Sequence, residues 1–319
     1  MTASVETAEP PVVSILIVSY NTRDMTLDCL RSVAAETRVP HEVILLDNAS
    51  GDGSAEAVAA AYPAVRLMAE RENHGFAKAN NIAAQLARGR YLLLLNPDTV
   101  ILDGAIDKLV AFAARVPEAK IWGGRTLYGD GRLNPTNCWR QISLWTVLCQ
   151  TLGLKNALPG SRLFNAEGYG GWLRDSEREV ELVTGCFLLI ERSFWEALGG
   201  FDPTFYMYGE EADLCRRAVS EGARPRITPE AEIVHYVGAS ERAVAGKIVN
   251  VLRSKTTLIK RYFPGWRRPV GLVLFRAWPW SRMVAARAKR LVRPDAESPW
   301  SEVWTRRAEW YDGYPDARG

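Results

Sequence analysis

Asp98 is a single carboxylate at the end of a predicted strand, a position that could support chemistry. It follows an apolar run at 91–95, and Pro97 stands just before it to stop the strand. A carboxylate in that place can cap the next helix. It can also bind Mg²⁺ or Mn²⁺, because proteins usually hold these cations with one or two carboxylates beside substrate phosphates. We expect a helix cap or a metal ligand at this position.

Glu210 and Glu211 begin a helical pattern directly after the aromatic and apolar stretch 205–208. Acids in a first helical turn complement the helix dipole, which is the structural explanation for the pair. The apolar stretch would also raise the pKa of a neighbouring carboxyl group and make it a usable proton acceptor. We therefore predict a catalytic base here, and the spacing does not decide between Glu210 and Glu211.

His235 is one of only 3 histidines and lies between Val234 and Tyr236. By composition alone, such a setting is more typical of a packing histidine than of a ligand.

Residues 12–122 alternate strand-like and helix-like segments, which predicts a mostly parallel sheet flanked by helices. Apolar runs of strand length lie at 12–18, 42–46, 65–68 and 91–95, and helical patterns lie at 24–36, 54–61 and 77–87. Ligands of such sheets bind beyond the carboxyl ends of the strands. Polar residues follow all four strands there: Ser19, Tyr20 and Asn21; 47–54; Asn73, Gly75 and Phe76; and 96–98. Four polar loops at one edge predict a binding site.

The periodicity is lost between about Tyr128 and Glu181, where Gly, Trp and Asn are frequent. A long irregular stretch inside a domain is usually a functional loop or lid. A second ordered block follows, with a strand at 181–190, a short helix at 193–198, a turn at 199–203 and a helix at 210–221.

The formal charge of +3 hides an uneven distribution. Fourteen of the 40 Lys and Arg residues lie between Arg242 and Arg293, where no acid occurs, so the rest of the chain is acidic.

The 5 cysteines form no CxxC pair, which predicts reduced, buried thiols. The N-terminal stretch 1–11 is acidic and is expected to be a disordered tail, and no run of 18 apolar residues occurs. These features predict a cytoplasmic protein.

The basic region 241–319 is expected to be a helical extension. Single-sign runs are usually solvated helices. Here aromatic residues alternate with Arg and acids are absent up to Arg293, which favours attachment to an anionic membrane surface. No nucleic-acid-binding motif accompanies the charge, so nucleic acid is an unlikely partner. The aromatic segment 300–314 is predicted to pack back onto the protein surface.

A series of motifs spans about residues 12–240 in order. They are Ser19-Tyr20-Asn21, Asp47-Asn48-Ala49-Ser50, Asn73-x-Gly75-Phe76-Ala77-x-Ala79-Asn80-Asn81, Asn96-Pro97-Asp98, Thr184-Gly185, Phe201-Asp202, Tyr208-Gly209-Glu210-Glu211-x-Asp213-Leu214 and His235-x-x-Gly238-x-Ser240. Together they resemble family 2 glycosyltransferases of the GT-A fold, and most of all their bacterial rhamnosyltransferase branch. The resemblance implies a GT-A domain at 12–240, a Rossmann-like α/β architecture with the basic helical extension after it.

The resemblance also implies roles for individual residues. Asp47 would hydrogen-bond the nucleotide base, and the segment from Asn73 to Asn80 would line the nucleotide and diphosphate pocket. Asp98 matches the last acid of the family's metal motif, and His235 matches a histidine near the same metal or diphosphate. Glu211 takes the place of the catalytic base, where many relatives have Asp, so a role for Glu210 stays open. The other residues implied in nucleotide-sugar binding are Ser19, Tyr20, Asn21, Gly75, Phe76, Asn96, Thr184 and Gly185.

The function that follows is inverting, metal-dependent sugar transfer from a nucleotide-diphosphate donor, plausibly dTDP-rhamnose, to a lipid-linked or polysaccharide acceptor. The metal would be Mg²⁺ or Mn²⁺. The alternatives are the same chemistry with a UDP-hexose donor, or a non-catalytic sugar-nucleotide-binding or membrane scaffold protein. A dehydrogenase is disfavoured, because no GxGxxG opens the first helix. The expected location is the inner face of the cell membrane.

Overall fold

The computed structural model describes residues 10–236, 244–293 and 298–315. The predicted tail at 1–11 lies almost entirely outside these residues, as do Gly238 and Ser240 of the last motif. The strands are β1 (Val13–Ser19), β2 (His41–Asp47), β3 (Arg66–Ala69), β4 (Tyr91–Leu95), β5 (Thr99–Ile101), β6 (Ile121–Leu127), β7 (Leu133–Asn134), β8 (Cys138–Trp139), β9 (Arg178–Glu179), β10 (Leu182–Val183), β11 (Phe187–Glu191) and β12 (Arg226–His235).

Helices cover both faces of the sheet and form the C-terminal region. They are α1 (Arg23–Glu36), α2 (Ser54–Ala61), α3 (Gly75–Ala84), α4 (Ala105–Arg115), α5 (Leu144–Thr151), α6 (Leu154–Ala157), α7 (Arg192–Leu198), α8 (Glu210–Ser220), α9 (Val244–Tyr262), α10 (Arg267–Val292) and α11 (Trp300–Thr305). No helix among the described residues is long and apolar enough to cross a membrane.

The central sheet is mostly parallel and has the order β3-β2-β1-β4-β11-β6-β12-β5. Strands β1 to β4 are parallel to one another, whereas β11 runs antiparallel to both of its neighbours. Strand β4 is buried along its whole length, because helices pack on both faces of the sheet. The predicted α/β architecture is therefore confirmed, and the parallel strands end at the edge that carries the polar loops.

The predicted strand 181–190 is wrong as a single element. Residues 182–183 pair with β8 in a small separate sheet, and the chain joins the central sheet only at Phe187. The break contains Thr184, whose backbone carbonyl accepts a hydrogen bond from the Phe187 N–H at 3.4 Å. Apolar composition could not reveal this break, because both halves are buried in the same core.

The segment 128–181, predicted to be irregular, contains two short helices and is anchored at two buried charges. Glu167 accepts a hydrogen bond from the Lys255 ammonium at 2.6 Å, and Arg174 donates to the Gly168 carbonyl at 2.9 Å. Ser143 caps α5 through a capping box. The segment is thus a folded part of the protein, held against α9.

The C-terminal region divides its aromatic and basic residues between two environments. Tyr262, Phe263, Phe275 and Trp278 pack in the hydrophobic cores, whereas Trp266 and Trp280 are exposed. Helix α9 buries its apolar face, and its residues Lys255, Lys260 and Arg261 form ion pairs within the protein. The aromatic segment after Trp300 does pack back, with Trp310 fully buried and Tyr314 8% exposed.

Candidate active site

The loop after β2 holds Asp47 with an unused acceptor. Its Oδ2 accepts the Ser50 N–H at 3.0 Å, while its Oδ1 is buried without a hydrogen-bond partner. Asn21 crosses from the loop after β1 and accepts the Gly51 N–H at 2.8 Å. Hydrogen bonds therefore hold the two loops together and leave Asp47 Oδ1 free to accept an N–H donor, such as that of a nucleotide base.

Ser19 and Tyr20 take different positions at the end of β1. The Ser19 hydroxyl is fully buried and lies 3.0 Å from the hydroxyls of both Thr22 and Thr26. Its side chain therefore supports the start of α1 and does not reach the cleft. Tyr20 is 47% exposed, so its ring is available for a ligand.

Asn73 joins three parts of the site. Its Oδ1 accepts hydrogen bonds from the Asn48 amide, the Gly75 N–H and the Tyr206 hydroxyl, each at 2.9 Å. Gly75 has φ +75°, and a Cβ there would lie 2.4 Å from the Tyr206 carbonyl oxygen. Only glycine fits this contact. The loop after β3 is thus fastened to the aromatic stretch 205–208.

Two asparagines of α3 fix the neighbouring backbone. The Asn80 amide donates to the Phe76 carbonyl at 2.9 Å and is almost fully buried, so it holds the first turn of the helix. Asn81 binds both the N–H and the carbonyl of Phe201, at 2.9 and 2.8 Å. This link from α3 to the turn at 199–203 depends on residues 120 positions apart, and no sequence pattern predicted it.

Asp98, Asn96 and His235 meet at the end of β4. His235 Nε2 lies 3.3 Å from Asp98 Oδ1 and 3.4 Å from the Asn96 amide nitrogen. Burial opposes the charge of His235, yet Cys186 and the Asp98 carboxylate beside the ring raise its pKa to about 10. Asn96 Oδ1 is buried without a partner. The structure thus brings together Asp98 and His235, the two residues that the resemblance placed near the metal, with Asn96 beside them.

These donors fit a hard divalent cation. One carboxylate and one free amide oxygen suit Mg²⁺ or Mn²⁺ when substrate phosphates complete the coordination shell, and the His235 imidazole can join them as a ligand only in its neutral form. In the described part of the chain, no group of three or more His, Cys, Asp or Glu could hold a metal alone. A cation here would therefore depend on the phosphates of a bound nucleotide.

Thr184 and Gly185 form the floor between the metal ligands and α8. The Thr184 hydroxyl donates to the Asn137 carbonyl at 3.2 Å and lies 3.2 Å from Cys186 Sγ. A Cβ on Gly185 would lie 3.0 Å from the Phe76 ring. Both residues are therefore needed for close packing at this point, whatever else they bind.

Glu210 and Glu211 form a buried carboxyl pair at the start of α8. Burial raises the pKa of Glu210 well above its usual range, and the charge of Glu211 raises it further. Burial also raises the pKa of Glu211, against the hydrogen bonds that the Gly185 and Gly209 backbones give it. Glu210 is 2% exposed, whereas Glu211 keeps partial exposure. Glu211 is therefore the more exposed residue of the pair, although the Oε2 atom of each carboxyl group is buried without a hydrogen-bond partner.

Asp213 fixes the orientation of α8 one turn further on. Its fully buried carboxylate accepts hydrogen bonds from Arg217 at 2.7 Å and from Arg261 at 2.9 Å, and it also contacts the Tyr262 hydroxyl. Arg261 and Tyr262 belong to α9. Nothing in the local sequence of α8 marks two residues almost 50 positions away as its partners, so this contribution could not be predicted.

The fold and the site together define a glycosyltransferase of the GT-A class. The chain belongs to glycosyl transferase family 2, whose family model matches residues 14–180. It is 29% identical over 298 residues to the N-acetylglucosaminyl-diphospho-decaprenol L-rhamnosyltransferase of Mycobacterium tuberculosis, covering 88% of this chain and 93% of that protein.

Two further comparisons agree with this assignment. The chain is 25% identical over 187 residues to the rhamnosyltransferase WbbL of Escherichia coli K12, covering 54% of this chain and 65% of the relative. The mannosyltransferase PcManGT of Pyrobaculum calidifontis, solved with GDP-Man and Mn²⁺, superposes with a TM-score of 0.56 at 19% identity, covering 94% of this chain and 80% of that one. This last likeness concerns the fold alone.

Proposed function

We propose that this glycosyltransferase moves a rhamnosyl group from a nucleotide-diphosphate donor, dTDP-rhamnose in the first instance, to a lipid-linked or polysaccharide acceptor in cell-envelope glycan synthesis. The observation that carries the proposal is the similarity to the mycobacterial rhamnosyltransferase along nearly the whole chain. The position of Asp47, Asp98 and His235 at one edge of the sheet, with Glu211 beside the Gly185 backbone, supports it.

The donor would lie across the loops after β1 to β4. Asp47 Oδ1, buried and without a partner, would accept a hydrogen bond from the nucleotide base. The segment from Asn73 to Asn80, braced by Tyr206, would line the pocket of the nucleotide and diphosphate. Asn96, Asp98 and His235 would hold Mg²⁺ or Mn²⁺, which when bound supplies positive charge to the leaving diphosphate.

Glu211 would act as the base of a direct displacement. It takes the proton of the acceptor hydroxyl as that oxygen bonds to the anomeric carbon and the bond from this carbon to the diphosphate breaks. Its raised pKa suits this task, because a stronger base accepts the proton more readily. Glu210 lies buried beside it, so we assign the role of base to Glu211, the more exposed residue of the pair. A single base predicts inversion at the anomeric carbon.

We also propose that the protein is cytoplasmic and attaches to the inner face of the cell membrane through one side of α10. That side carries exposed apolar residues spaced by three, four or seven positions, as expected for one helical face. We call this set the exposed stripe: Trp266, Val270, Val273, Trp280, Val284 and Leu291. Exposed cations lie beside it, namely Arg267, Arg287, Lys289 and Arg293. Apolar residues flanked by cations suit an anionic lipid surface.

The test is a transfer assay with the full chain and a panel of nucleotide sugars, with Mn²⁺ or with EDTA. We expect product from dTDP-rhamnose and a polyprenyl-diphosphate-linked N-acetylglucosamine, and loss of product for Asp98→Ala and Glu211→Gln. Asp28→Ala, an exposed acid on α1, is the matched control. Transfer only from a UDP-hexose would replace the proposed donor, and binding of nucleotide without metal-dependent turnover would indicate a scaffold protein. Near wild-type activity of both site variants would contradict the assignment.

A further inference from the structure

One cation of α9 lacks the partner that its neighbours have. Lys255, two positions along the helix, pairs with Glu167 at 2.6 Å. The guanidinium of Arg253 instead stacks on the Tyr314 ring, 4.5 Å from its centroid, and forms no ion pair with any acid of the described residues. Its Nε is buried without a hydrogen-bond acceptor. A buried N–H of a charged group is costly to leave unpaired, so this arrangement requires an explanation.

Glu309 is an acid whose charge interacts with that of Arg253, but its carboxylate is already bound by another arginine. The Arg306 side chain binds Glu309 at 2.7 and 2.8 Å. These bonds lower the pKa of Glu309, and the charge of Arg253 adds to them only at longer range. Glu309 therefore does not satisfy the Arg253 guanidinium.

Arg253 stands next to the loop that ends at the catalytic pair. The following residue, Ser254, packs so closely that its hydroxyl would lie 2.0 Å from a Cβ on Gly209. Tyr314, on which Arg253 stacks, donates its hydroxyl to the Met207 carbonyl at 2.9 Å. The charge of Glu210 also acts on the Tyr314 hydroxyl. The unpaired guanidinium is thus linked through the Tyr314 ring to the backbone of the loop that ends at Glu210 and Glu211.

A second donor lies on the same side of α9. Asn250 precedes Arg253 by three positions, which puts both side chains on one helical face. Like Arg253, it is partly exposed. A guanidinium and an amide offer several N–H groups and, in the guanidinium, a permanent charge, which is the donor set that phosphate oxygens prefer.

We propose that Arg253, with Asn250 beside it, binds a phosphate of the acceptor's lipid diphosphate. This inference rests on the proposed function, since that acceptor presents its sugar hydroxyl to Glu211 with a diphosphate attached to the same sugar. The donor diphosphate has its own ligands at Asp98 and His235, on the strand side of the cleft. Arg253 would therefore place the acceptor and leave the donor unaffected.

The first experiment measures binding without any transfer. Farnesyl diphosphate is titrated calorimetrically into the full chain in EDTA, which removes the metal, for wild type, Arg253→Met and Arg253→Lys. We expect the Met variant to bind about tenfold or more weakly, and Lys to restore part of the affinity because it keeps the charge but not the planar fork. Arg31→Met removes an exposed, ion-paired arginine of α1 and should bind like wild type.

The second experiment compares two acceptors in the transfer assay. One carries the lipid diphosphate, and the other carries the same sugar on an uncharged alkyl chain. We expect Arg253→Met to raise KM for the diphosphate acceptor only, with KM for the donor unchanged. An equal loss on both acceptors would show a purely structural role, and a raised donor KM or competition by a nucleoside diphosphate in the binding assay would assign the site to the donor. Either result overturns the proposal, whereas failure of wild type to transfer rhamnose would overturn only the proposed donor.

Discussion

The Nε2 atom of His235 lies 3.3 Å from Oδ1 of Asp98, which joins the end of β12 to the loop after β4. The two residues come together because β12 pairs with β5, where His235 stands opposite Thr99. The neighbouring Tyr236 N–H donates to the Asp98 carbonyl at 3.0 Å and fixes the same contact through the backbone. A histidine that composition assigns to packing is thus placed at the proposed metal site by strand register.

Glu211→Gln should abolish most of the turnover, because the amide cannot accept the proton of the acceptor hydroxyl. General base catalysis contributes about 10²- to 10⁴-fold, so we expect a fall in kcat of that order with little change in donor KM. The raised pKa of Glu211 also predicts that wild-type kcat/KM falls on the acid side at a pH above that of an ordinary glutamate. Steady-state kinetics across pH test both statements; a Gln variant with a wild-type profile would exclude Glu211 as the base.

Glu210→Gln should stabilise the protein at neutral pH. The pKa of Glu210 is raised in the folded state, so its contribution to stability is present below the unfolded pKa and is lost as pH rises through the folded pKa. Gln cannot ionise, so the variant does not lose this stability as pH rises. We expect Tm to rise by about 2 °C at pH 8 and to change less at pH 5, measured by thermal unfolding. A lower Tm at pH 8 would show that the buried carboxylate is stabilised by its surroundings.

Gly75→Ala should damage the donor pocket. The added Cβ would lie 2.4 Å from the Tyr206 carbonyl, and φ at this residue is +75°. The loop after β3 must therefore move away from Tyr206, which we expect to raise donor KM about tenfold or more and to reduce stability. Gly51→Ala is a matched control, because a Cβ there would meet nothing within 4 Å. Equal effects of the two variants on donor KM would contradict the proposed contact.

Arg261→Met should destabilise the protein strongly. It removes the 2.9 Å contacts to the fully buried Asp213 and to Asp202, whose side chain is 9% exposed, and leaves their charges poorly compensated. Losing one partner of a buried ion pair costs about 3–5 kcal/mol of unfolding free energy. Urea unfolding measures this loss. Arg192→Met is the control, because its pair with Glu196 is exposed and should contribute less than about 1 kcal/mol.

Replacing two residues of the exposed stripe, Val273→Glu with Trp280→Glu, should prevent binding to anionic vesicles. Each residue is at least half exposed, so the fold should tolerate the change. We expect the wild-type chain to co-float with phosphatidylglycerol vesicles and to be released by high salt, which screens the flanking cations. Val219→Glu, at another exposed apolar residue, is the control. Flotation of the double variant would contradict a membrane role for the stripe. So would a wild-type chain that is dimeric in solution while the double variant is monomeric.

The local sequence pattern was enough to predict most strands and helices of residues 12–122. Strand 91–95 and helix 54–61 have the predicted bounds, and the other early elements differ by one to three residues at their ends. Apolar runs and small-residue helices specify these elements through short-range preferences, and parallel strands then align their polar loops at one edge. Asp47, Asp98 and the acid pair were found in this way, because each follows directly from the end of a strand or the start of a helix.

Only the tertiary structure decided which of the two acids is the more exposed and which residues pack around them. Glu210 and Glu211 are neighbours in sequence, and their burial differs only because Ser254, Tyr314 and the floor at Gly185 pack around them. Likewise Arg253 and Arg261 belong to one basic region, yet the guanidinium of Arg253 forms no ion pair within the described part of the chain and that of Arg261 binds the carboxylates of Asp202 and Asp213. The sequence by itself therefore determined the strands, the edge that carries the chemistry and the acidic candidates. Long-range packing decided which charges have a partner, because the burial of a side chain depends on residues distant in the chain.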